Sequence, residues 1–302
     1  MDDKLNVEII EFTDPACTWC WGSEPILRKL ESNYEGNIEI NFIMGGLVKD
    51  IRDFRDDHNG IGGDLSKINE EVASHWLEAS SRHGMPVDAE NFSLFSAEYP
   101  STYPMNIAYK AAQFEDEKVA KKFLRRMREA IAAEGKKTNR TEALIELAQE
   151  SGLDVVQFIK NFTDGSAEKA FEEDLYTTRS YKANGFPTFL VKVSNGKEVM
   201  LRGYQSYETF KQVIKQITDG KLVEKKLEVN EETILNFISK YGRVAPVEIE
   251  VTFNLTSAEV KEYLDNLKSQ NAVGITPDGN GYFISIKANP LTCDSENELC
   301  NI

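Results

Sequence analysis

The chain has little of what nucleic-acid-binding, membrane-spanning and disulfide-stabilised proteins need. Its 302 residues carry 35 lysines and arginines against 50 aspartates and glutamates, a formal net charge of −15. This charge argues against a nucleic-acid or anionic-membrane partner, because phosphate binding needs clustered cations. No apolar run approaches the roughly 18 residues that span a bilayer. The four cysteines are too few for a disulfide scaffold in a chain of this length.

The first residues also lack the features of a secretory signal. They carry neither a basic stretch nor an apolar one, so we expect no signal peptide and a cytoplasmic location. In that compartment a closely spaced cysteine pair is more often catalytic or metal-binding than structural. The length is typical of two domains.

Two of the four cysteines stand where a predicted strand gives way to a predicted helix. Residues 7–12 form an apolar run that ends at an Asp-Pro turn, and residues 24–34 have apolar side chains at helical spacing. Cys17 would lie at the helix start, where free N–H groups and the macrodipole favour a thiolate. Cys20, one turn later and less exposed, is close enough to form a disulfide with Cys17. The pair predicts attack by Cys17 on a substrate disulfide, or the reverse, with resolution by Cys20.

The rest of the first 220 residues alternates between β and α character. A strand is predicted at 38–44, helices dominate from about 47 to 181, and a hairpin at 188–201 turns at an Asn-Gly step. A helix follows at 206–218. Pro187 stands immediately before the hairpin, where a proline is sterically allowed and a cis peptide bond would mark a specific turn.

This order of elements resembles a thioredoxin fold of the DsbA type, an α/β fold with a large α-helical insertion. The resemblance covers roughly residues 6–219 and implies a first domain at 1–220 with its insertion at about 47–181. It implies that Pro187 is cis and faces the cysteines, and that Phe186 pairs with the substrate backbone. It also implies that Glu11, six residues before Cys17, is a buried acid that accepts the proton of Cys20.

The motif Asp-Pro-x-Cys-x-x-Cys-Trp most resembles cytosolic FrnE-like dithiol isomerases and the relatives that act as adaptors for Clp proteolysis of the Spx regulator. The chain departs from DsbA in having Thr18 and Trp19 between the cysteines. Without a histidine there, we expect a less oxidising couple. Thr18, Trp19, Trp21 and Phe186 are candidate substrate-binding residues, and Phe186 is bulky enough to narrow the groove. Trp19 and Trp21 either pack internally or form an apolar docking rim.

Residues 229–290 are predicted to form a small winged-helix-like α+β domain, reached through a charged linker at 221–228 and followed by a polar tail at 291–302. Three helices are expected before a two-stranded hairpin. The helix that would enter a DNA groove has nearly equal numbers of acidic and basic residues, so it is poorly suited to binding phosphates. We therefore expect this domain to contact protein or to pack on the rest of the chain.

Three functions remain open at this point. The first is an enzyme, a protein dithiol–disulfide oxidoreductase or isomerase. The second is an adaptor of the Spx/Clp type that binds a Clp-type protease or a regulator protein. The third is a glutathione-dependent isomerase of the kappa-transferase or hydroxychromene type, against which the intact cysteine pair argues.

Two interpretations other than redox chemistry exist for the cysteine pair: a purely structural role, or half of a zinc site. Zinc would need further ligands, from Cys293 and Cys300 or from the histidines at 58, 75 and 83. We expect no metal and no other cofactor, and we interpret the two tail cysteines as loose thiols or a labile bridge.

Overall fold

The computed structural model describes residues 6–62, 64–194 and 196–287. In chain order its elements are β1 (Val7–Thr13), α1 (Thr18–Asn33), β2 (Ile38–Met44), β3 (Arg55–Asp56), β4 (Ile61–Gly62), α2 (Ile68–His83), α3 (Tyr103–Gln113), α4 (Glu117–Ala132), α5 (Thr141–Glu150), α6 (Val155–Thr163), α7 (Ser166–Ser180), β5 (Thr188–Val193), β6 (Glu198–Arg202), α8 (Tyr207–Ile217), α9 (Glu231–Tyr241), β7 (Arg243–Val244), α10 (Pro246–Phe253), α11 (Ser257–Ser269), β8 (Val273–Asp278) and β9 (Gly281–Ile286).

The central sheet has four strands in the order β2-β1-β5-β6. β1 is parallel to β2 and antiparallel to β5, and β5 is antiparallel to β6. Six of the seven residues of β1 are buried, because both faces of the strand are covered. Val7 and Ile9 pack with α1 and α8 on one side, whereas Ile10 and Phe12 belong to a smaller cluster on the other. This topology confirms the predicted thioredoxin fold.

The helical insertion lies between β2 and β5 and contains α2 to α7. Its core is rich in aromatic side chains, among them Trp76, Phe123 and Phe158. The long helical pattern that the sequence shows from about 103 to 131 is divided into α3 and α4. The division occurs because the Asp116 side chain accepts hydrogen bonds from the N–H groups of residues 118 and 119 and so caps a new helix.

The C-terminal segment, residues 229–287, contains α9 to α11 and a three-stranded sheet in the order β7-β9-β8. The three predicted helices and the hairpin are all present. The short strand β7 was not predicted, because two residues between helices carry no periodic signal. The segment has its own apolar core, whose buried side chains include Ile234, Ile238, Leu264 and Ile284.

The C-terminal segment also packs closely on the rest of the chain. In the hairpin turn, the Asn280 N–H donates to the carbonyl of Val87 at 2.9 Å, and the Val87 N–H donates to Asn280 Oδ1 at 2.8 Å. Gly279 has a φ of +54°, and a Cβ there would lie 2.5 Å from the backbone carbon of Val87. The turn of the hairpin is therefore seated on the loop that follows α2, which leaves it unavailable to enter a DNA groove.

Candidate thiol–disulfide active site

Cys17 and Cys20 lie where β1 gives way to α1. Cys17 is the N-cap residue of α1, and its Sγ accepts a hydrogen bond from the Cys20 N–H at 3.3 Å. This contact stabilises negative charge on Cys17 in the way that a helix N-terminus does. Cys17 is 5% exposed and Cys20 is fully buried, and both are free thiols. The predicted difference in access between the two thiols is confirmed, with Cys17 at the surface side.

Asp14 holds the cysteine loop against the helical insertion, a role that the sequence did not suggest beyond a turn. Its carboxylate accepts hydrogen bonds from the N–H groups of Ala16 at 2.9 Å and Leu47 at 2.8 Å. It also accepts from the Thr102 hydroxyl at 2.9 Å and the Asn106 amide at 2.8 Å. Burial raises the pKa of Asp14, although these donors oppose the shift. The carboxylate is thus a fully buried junction of three chain segments.

The peptide bond between Phe186 and Pro187 is cis, as the resemblance implied. The Cys17 thiol donates to the Phe186 carbonyl at 3.4 Å, so this loop directly faces the outer cysteine. The Phe186 ring covers Gly45, where a Cβ would lie 2.0 Å from a ring carbon. Only a glycine at the end of β2 leaves room for the ring at this position.

Glu11 is buried on β1 beside Cys20. Its Oε1 accepts hydrogen bonds from the Thr13 hydroxyl at 3.0 Å and from Arg128 Nη2 at 3.2 Å. Its Oε2 accepts none from the described residues. Burial raises the pKa of the Glu11 carboxyl despite the nearby Arg128, and burial raises the pKa of the Cys20 thiol well above its ordinary value. Because its pKa is raised, the Glu11 carboxylate binds a proton more readily than a free carboxylate does, and its Oε2 is open to take one.

A network of buried ion pairs extends from Glu11 into the protein. Arg128 Nη1 contacts Glu24 at 2.6 Å, and Arg125 contacts the other oxygen of Glu24 at 3.4 Å. Burial acts to raise the pKa of Glu24, but the surrounding guanidinium groups together outweigh it and the pKa is lowered. Glu24 is therefore ionised, and the network was not predicted because charged helical residues ordinarily face solvent.

The candidate substrate-binding residues do not all reach the surface. Thr18, Trp19 and Phe186 line a cavity of about 510 Å³ that opens beside Cys17 and is otherwise walled by the insertion. Its volume lies within the range of small-molecule and side-chain binding sites. Trp19 and Phe186 also line a second groove of about 480 Å³ with Tyr204. Trp19, Phe186 and Tyr204 thus form the apolar rim of the thiol site.

Trp21 is not part of that rim, and the interpretation of it as a docking residue is wrong. Its side chain is fully buried. The indole Nε1 donates to the Pro86 carbonyl at 2.9 Å, and the ring lies 6.3 Å from that of Phe283 on β9. Trp21 points away from Cys17 because it is on the face of α1 that packs against the C-terminal segment.

Two histidines flank Trp19, which the sequence could not show. The rings of His75 and His83 meet the Trp19 ring edge-on, with centroids 6.2 and 6.0 Å away. Burial lowers the pKa of His83 to about 4, and its Nδ1 accepts the Met85 N–H at 3.1 Å. The ring also packs on Gly22, where a Cβ would lie 2.4 Å away. His83 is therefore a neutral packing residue at physiological pH.

No metal centre is found in the described part of the chain, where no three His, Cys, Asp or Glu side chains are arranged to hold an ion. Cys293 and Cys300 lie outside the described residues, so their interpretation stays a prediction. Among the described helices, none is both long and apolar enough to cross a membrane.

Comparisons with known proteins agree on the fold. A family model described as Thioredoxin matches residues 11–212. The ClpXP adapter protein SpxH of Halalkalibacterium halodurans is 29% identical over 282 residues, which are 93% of this chain and 89% of that protein. The cytosolic disulfide reductase DsbM of Pseudomonas aeruginosa has a TM-score of 0.51 and 20% identity, covering 70% of this chain and 94% of that one. A 2-hydroxychromene-2-carboxylate isomerase has a TM-score of 0.51 and 16% identity, covering 70% and 98%.

Proposed function

The chain belongs to the thioredoxin family, and we propose that it is a dithiol–disulfide oxidoreductase or isomerase acting on protein thiols. One observation carries the proposal. The outer thiol of Cys17 faces the cis-Pro187 loop, while the inner thiol of Cys20 lies beside the buried carboxyl of Glu11. Each of these groups has a separate part in thiol exchange, and their meeting at one helix N-terminus has no purely structural explanation.

In the reductive direction, the Cys17 thiolate attacks one sulfur of a substrate disulfide. The substrate S–S bond breaks, a mixed disulfide with Cys17 forms, and the other substrate sulfur leaves as a thiolate that takes a proton from water. Cys20 then transfers its proton to Glu11 Oε2 and attacks Cys17 Sγ, which forms the Cys17–Cys20 disulfide and releases the second substrate sulfur as a thiolate that takes a proton from water. Two electrons pass from the protein to the substrate, and the reverse sequence oxidises it.

Isomerisation needs only a change of nucleophile at the second step. A different thiol of the substrate attacks the mixed disulfide, so that Cys17 is released and a new substrate disulfide forms without net oxidation. The apolar rim of Trp19, Phe186 and Tyr204 offers an unfolded or flexible protein segment a surface next to the thiol. The proposal needs no cofactor, and we place it in the cytoplasm, where reducing conditions keep the thiols available.

Reduction of insulin disulfides and reshuffling of scrambled ribonuclease test this proposal. A Cys17→Ser variant should lose both activities to the uncatalysed background, because no other described thiol is at the surface of the site. A Cys20→Ser variant should instead accumulate a mixed disulfide. The matched control is a Cys293→Ser, Cys300→Ser double variant, which should keep full activity. Wild-type activity in the Cys17→Ser variant would contradict the proposal.

A second candidate function is that of a protease adaptor. It is favoured by the similarity to the ClpXP adapter SpxH, which extends over 93% of this chain and so includes the C-terminal segment. Under this alternative the fold would present a regulator protein to a Clp-type ATPase. Purified ClpXP and an Spx-type regulator provide the test, since an adaptor should accelerate degradation equally with wild type and with Cys17→Ser. Equal degradation with and without the protein would contradict the alternative.

A further inference from the structure

Glu248, on α10 of the C-terminal segment, is a fully buried carboxylate that contacts two arginines from other helices. Its Oε1 lies 2.8 Å from Nη1 of Arg28 on α1 and 2.9 Å from Nη1 of Arg125 on α4. Its Oε2 accepts from Nη2 of Arg125 at 3.1 Å and from the Ala245 N–H at 2.6 Å. Both carboxylate oxygens therefore accept hydrogen bonds from the protein, and Arg28 adds an ion pair to Oε1.

These contacts place Glu248 at one end of a series of side chains with alternating charge. The other end of the series is at the thiols. Arg125 joins Glu248 to Glu24, Arg128 joins Glu24 to Glu11, and Glu11 lies beside Cys20. Each link is an ion pair between side chains that are at most 12% exposed. Because solvent and salt are excluded, a change of charge at one end is screened little before it reaches the other.

A purely stabilising role accounts poorly for this arrangement. Buried ion pairs lose much of their Coulombic gain to desolvation, and apolar residues of the same volume often stabilise a protein as well. This series of ion pairs ends on the two groups that exchange a proton during resolution, and the charged or titratable groups facing them are Arg128 from α4, Glu24 from α1 and Cys17 at the start of α1. The free Oε2 of Glu11 is the one polar atom of its carboxylate left open to Cys20.

We propose that Glu248 is a positioning residue of the thiol site, through which the C-terminal segment sets the proton affinity of the Glu11–Cys20 pair. The proposal rests on the proposed function, because it concerns the resolving step. The negative charge of Glu248 raises that proton affinity and disfavours the Cys20 thiolate. Arg28, its partner on α1, has the opposite effect. The two residues should therefore act with opposite sign on the rate at which Cys20 resolves a mixed disulfide at a given pH.

Reaction of the reduced protein, in a Cys293→Ser, Cys300→Ser background that removes the tail thiols, with an aromatic disulfide such as 5,5′-dithiobis(2-nitrobenzoate) separates the two steps. The first nitrothiolate is released when Cys17 attacks the reagent, and the second when Cys20 attacks the Cys17 mixed disulfide. The acid limb of the pH profile of the second phase reports how readily the Glu11–Cys20 pair gives up its proton. The variants are Glu248→Gln, Arg28→Gln and both together, with Glu250→Gln as the matched control on the same helix.

Glu248→Gln should move the acid limb to lower pH and raise the second-phase rate on that limb by about tenfold to twentyfold, the effect of a unit charge roughly 10 Å away at an effective dielectric of about 20. Arg28→Gln should move the acid limb to higher pH and lower the second-phase rate on that limb by a similar factor. The double variant removes one negative and one positive charge, so its pH profile should return toward that of wild type. Glu250→Gln should leave the profile unchanged.

Loosening of the fold cannot imitate this pattern, because both single variants would then shift the profile in the same direction. Shifts of the same sign, or none, in variants whose tryptophan fluorescence matches wild type would overturn the role of Glu248 and leave the proposed function standing. If either single variant fails to fold, comparison of the other single variant with the double variant still gives the direction in which the acid limb shifts. Absence of any second phase in the wild type would overturn both the role of Glu248 and the proposed function.

Discussion

His83 should make the stability of the protein depend on pH. Burial lowers the pKa of this side chain from 6.5 to about 4. Between these two values the unfolded chain binds a proton that the folded protein does not, so the free energy of unfolding falls as the pH falls through this window. The contribution of His83 is fully present above pH 6.5 and is lost progressively toward pH 4.

The magnitude follows from the two pKa values. For a folded pKa of about 4 and an unfolded pKa of 6.5, protonation of the unfolded state costs the wild type about 2.5 kcal/mol between pH 7.5 and pH 4.5. Replacing the imidazole with the neutral amide of glutamine removes this term, because glutamine does not titrate. Between pH 7.5 and pH 4.5 the free energy of unfolding should therefore fall by about 2.5 kcal/mol less in His83→Gln than in wild type.

Urea unfolding followed by tryptophan fluorescence at both pH values measures this difference by linear extrapolation of the transition that the tryptophans report. Carboxylates that titrate in the same window are common to both proteins and cancel. His58→Gln is the matched control, because it removes an exposed histidine instead of a buried one. A pH dependence of His83→Gln that equals that of wild type would refute the reasoning, because the buried imidazole would then not be the group that resists protonation.

Two further substitutions probe the resolving acid and the seating of the hairpin. Glu11→Gln should slow release of the second nitrothiolate by about a hundredfold or more while leaving the first unchanged; Glu8→Gln on the same strand is the control, and equal second phases would contradict the role of Glu11. Gly279→Ala should lower the free energy of unfolding by about 2–3 kcal/mol more than Gly220→Ala. Both glycines have positive φ, but only at Gly279 would the new Cβ meet the Val87 backbone, at 2.5 Å. Equal losses in urea titrations would show that the hairpin turn is not seated there.

The parts of the fold that could be predicted are those that a local pattern specifies. The cysteine spacing, the apolar run of β1 and the proline before β5 each carry their meaning within a few residues, and together they indicate the thioredoxin fold. The break at residues 114–116 was missed, because the apolar periodicity continues across it and only the capping geometry of Asp116 reveals it. Trp21 was ambiguous for a different reason: the residue that covers it, Phe283, is far away in the sequence.

The charged network could not be predicted from one sequence for a physical reason. Glu24, Arg125 and Arg128 lie on helices whose charged positions are normally solvated, and periodicity alone assigns such faces to water. They are buried because a third element, α10, covers them and brings Glu248 into the same contact. The asymmetry is general: an apolar face shows in the sequence that it will be buried, whereas a charged face is buried only if a partner of opposite charge arrives from elsewhere in the chain.

This burial changes how the C-terminal segment should be regarded. The sequence predicts a winged-helix-like domain beyond a charged linker, which would either contact a protein or pack on the rest of the chain. In the structure, α10 supplies the carboxylate that neutralises Arg28 and Arg125 behind the cysteine helix, and β9 covers Trp21 one residue after Cys20. Removing one partner of a buried ion pair is far more costly than never having formed it. The C-terminal segment is therefore the inner wall of the cysteine helix, in direct contact with the buried charges behind it.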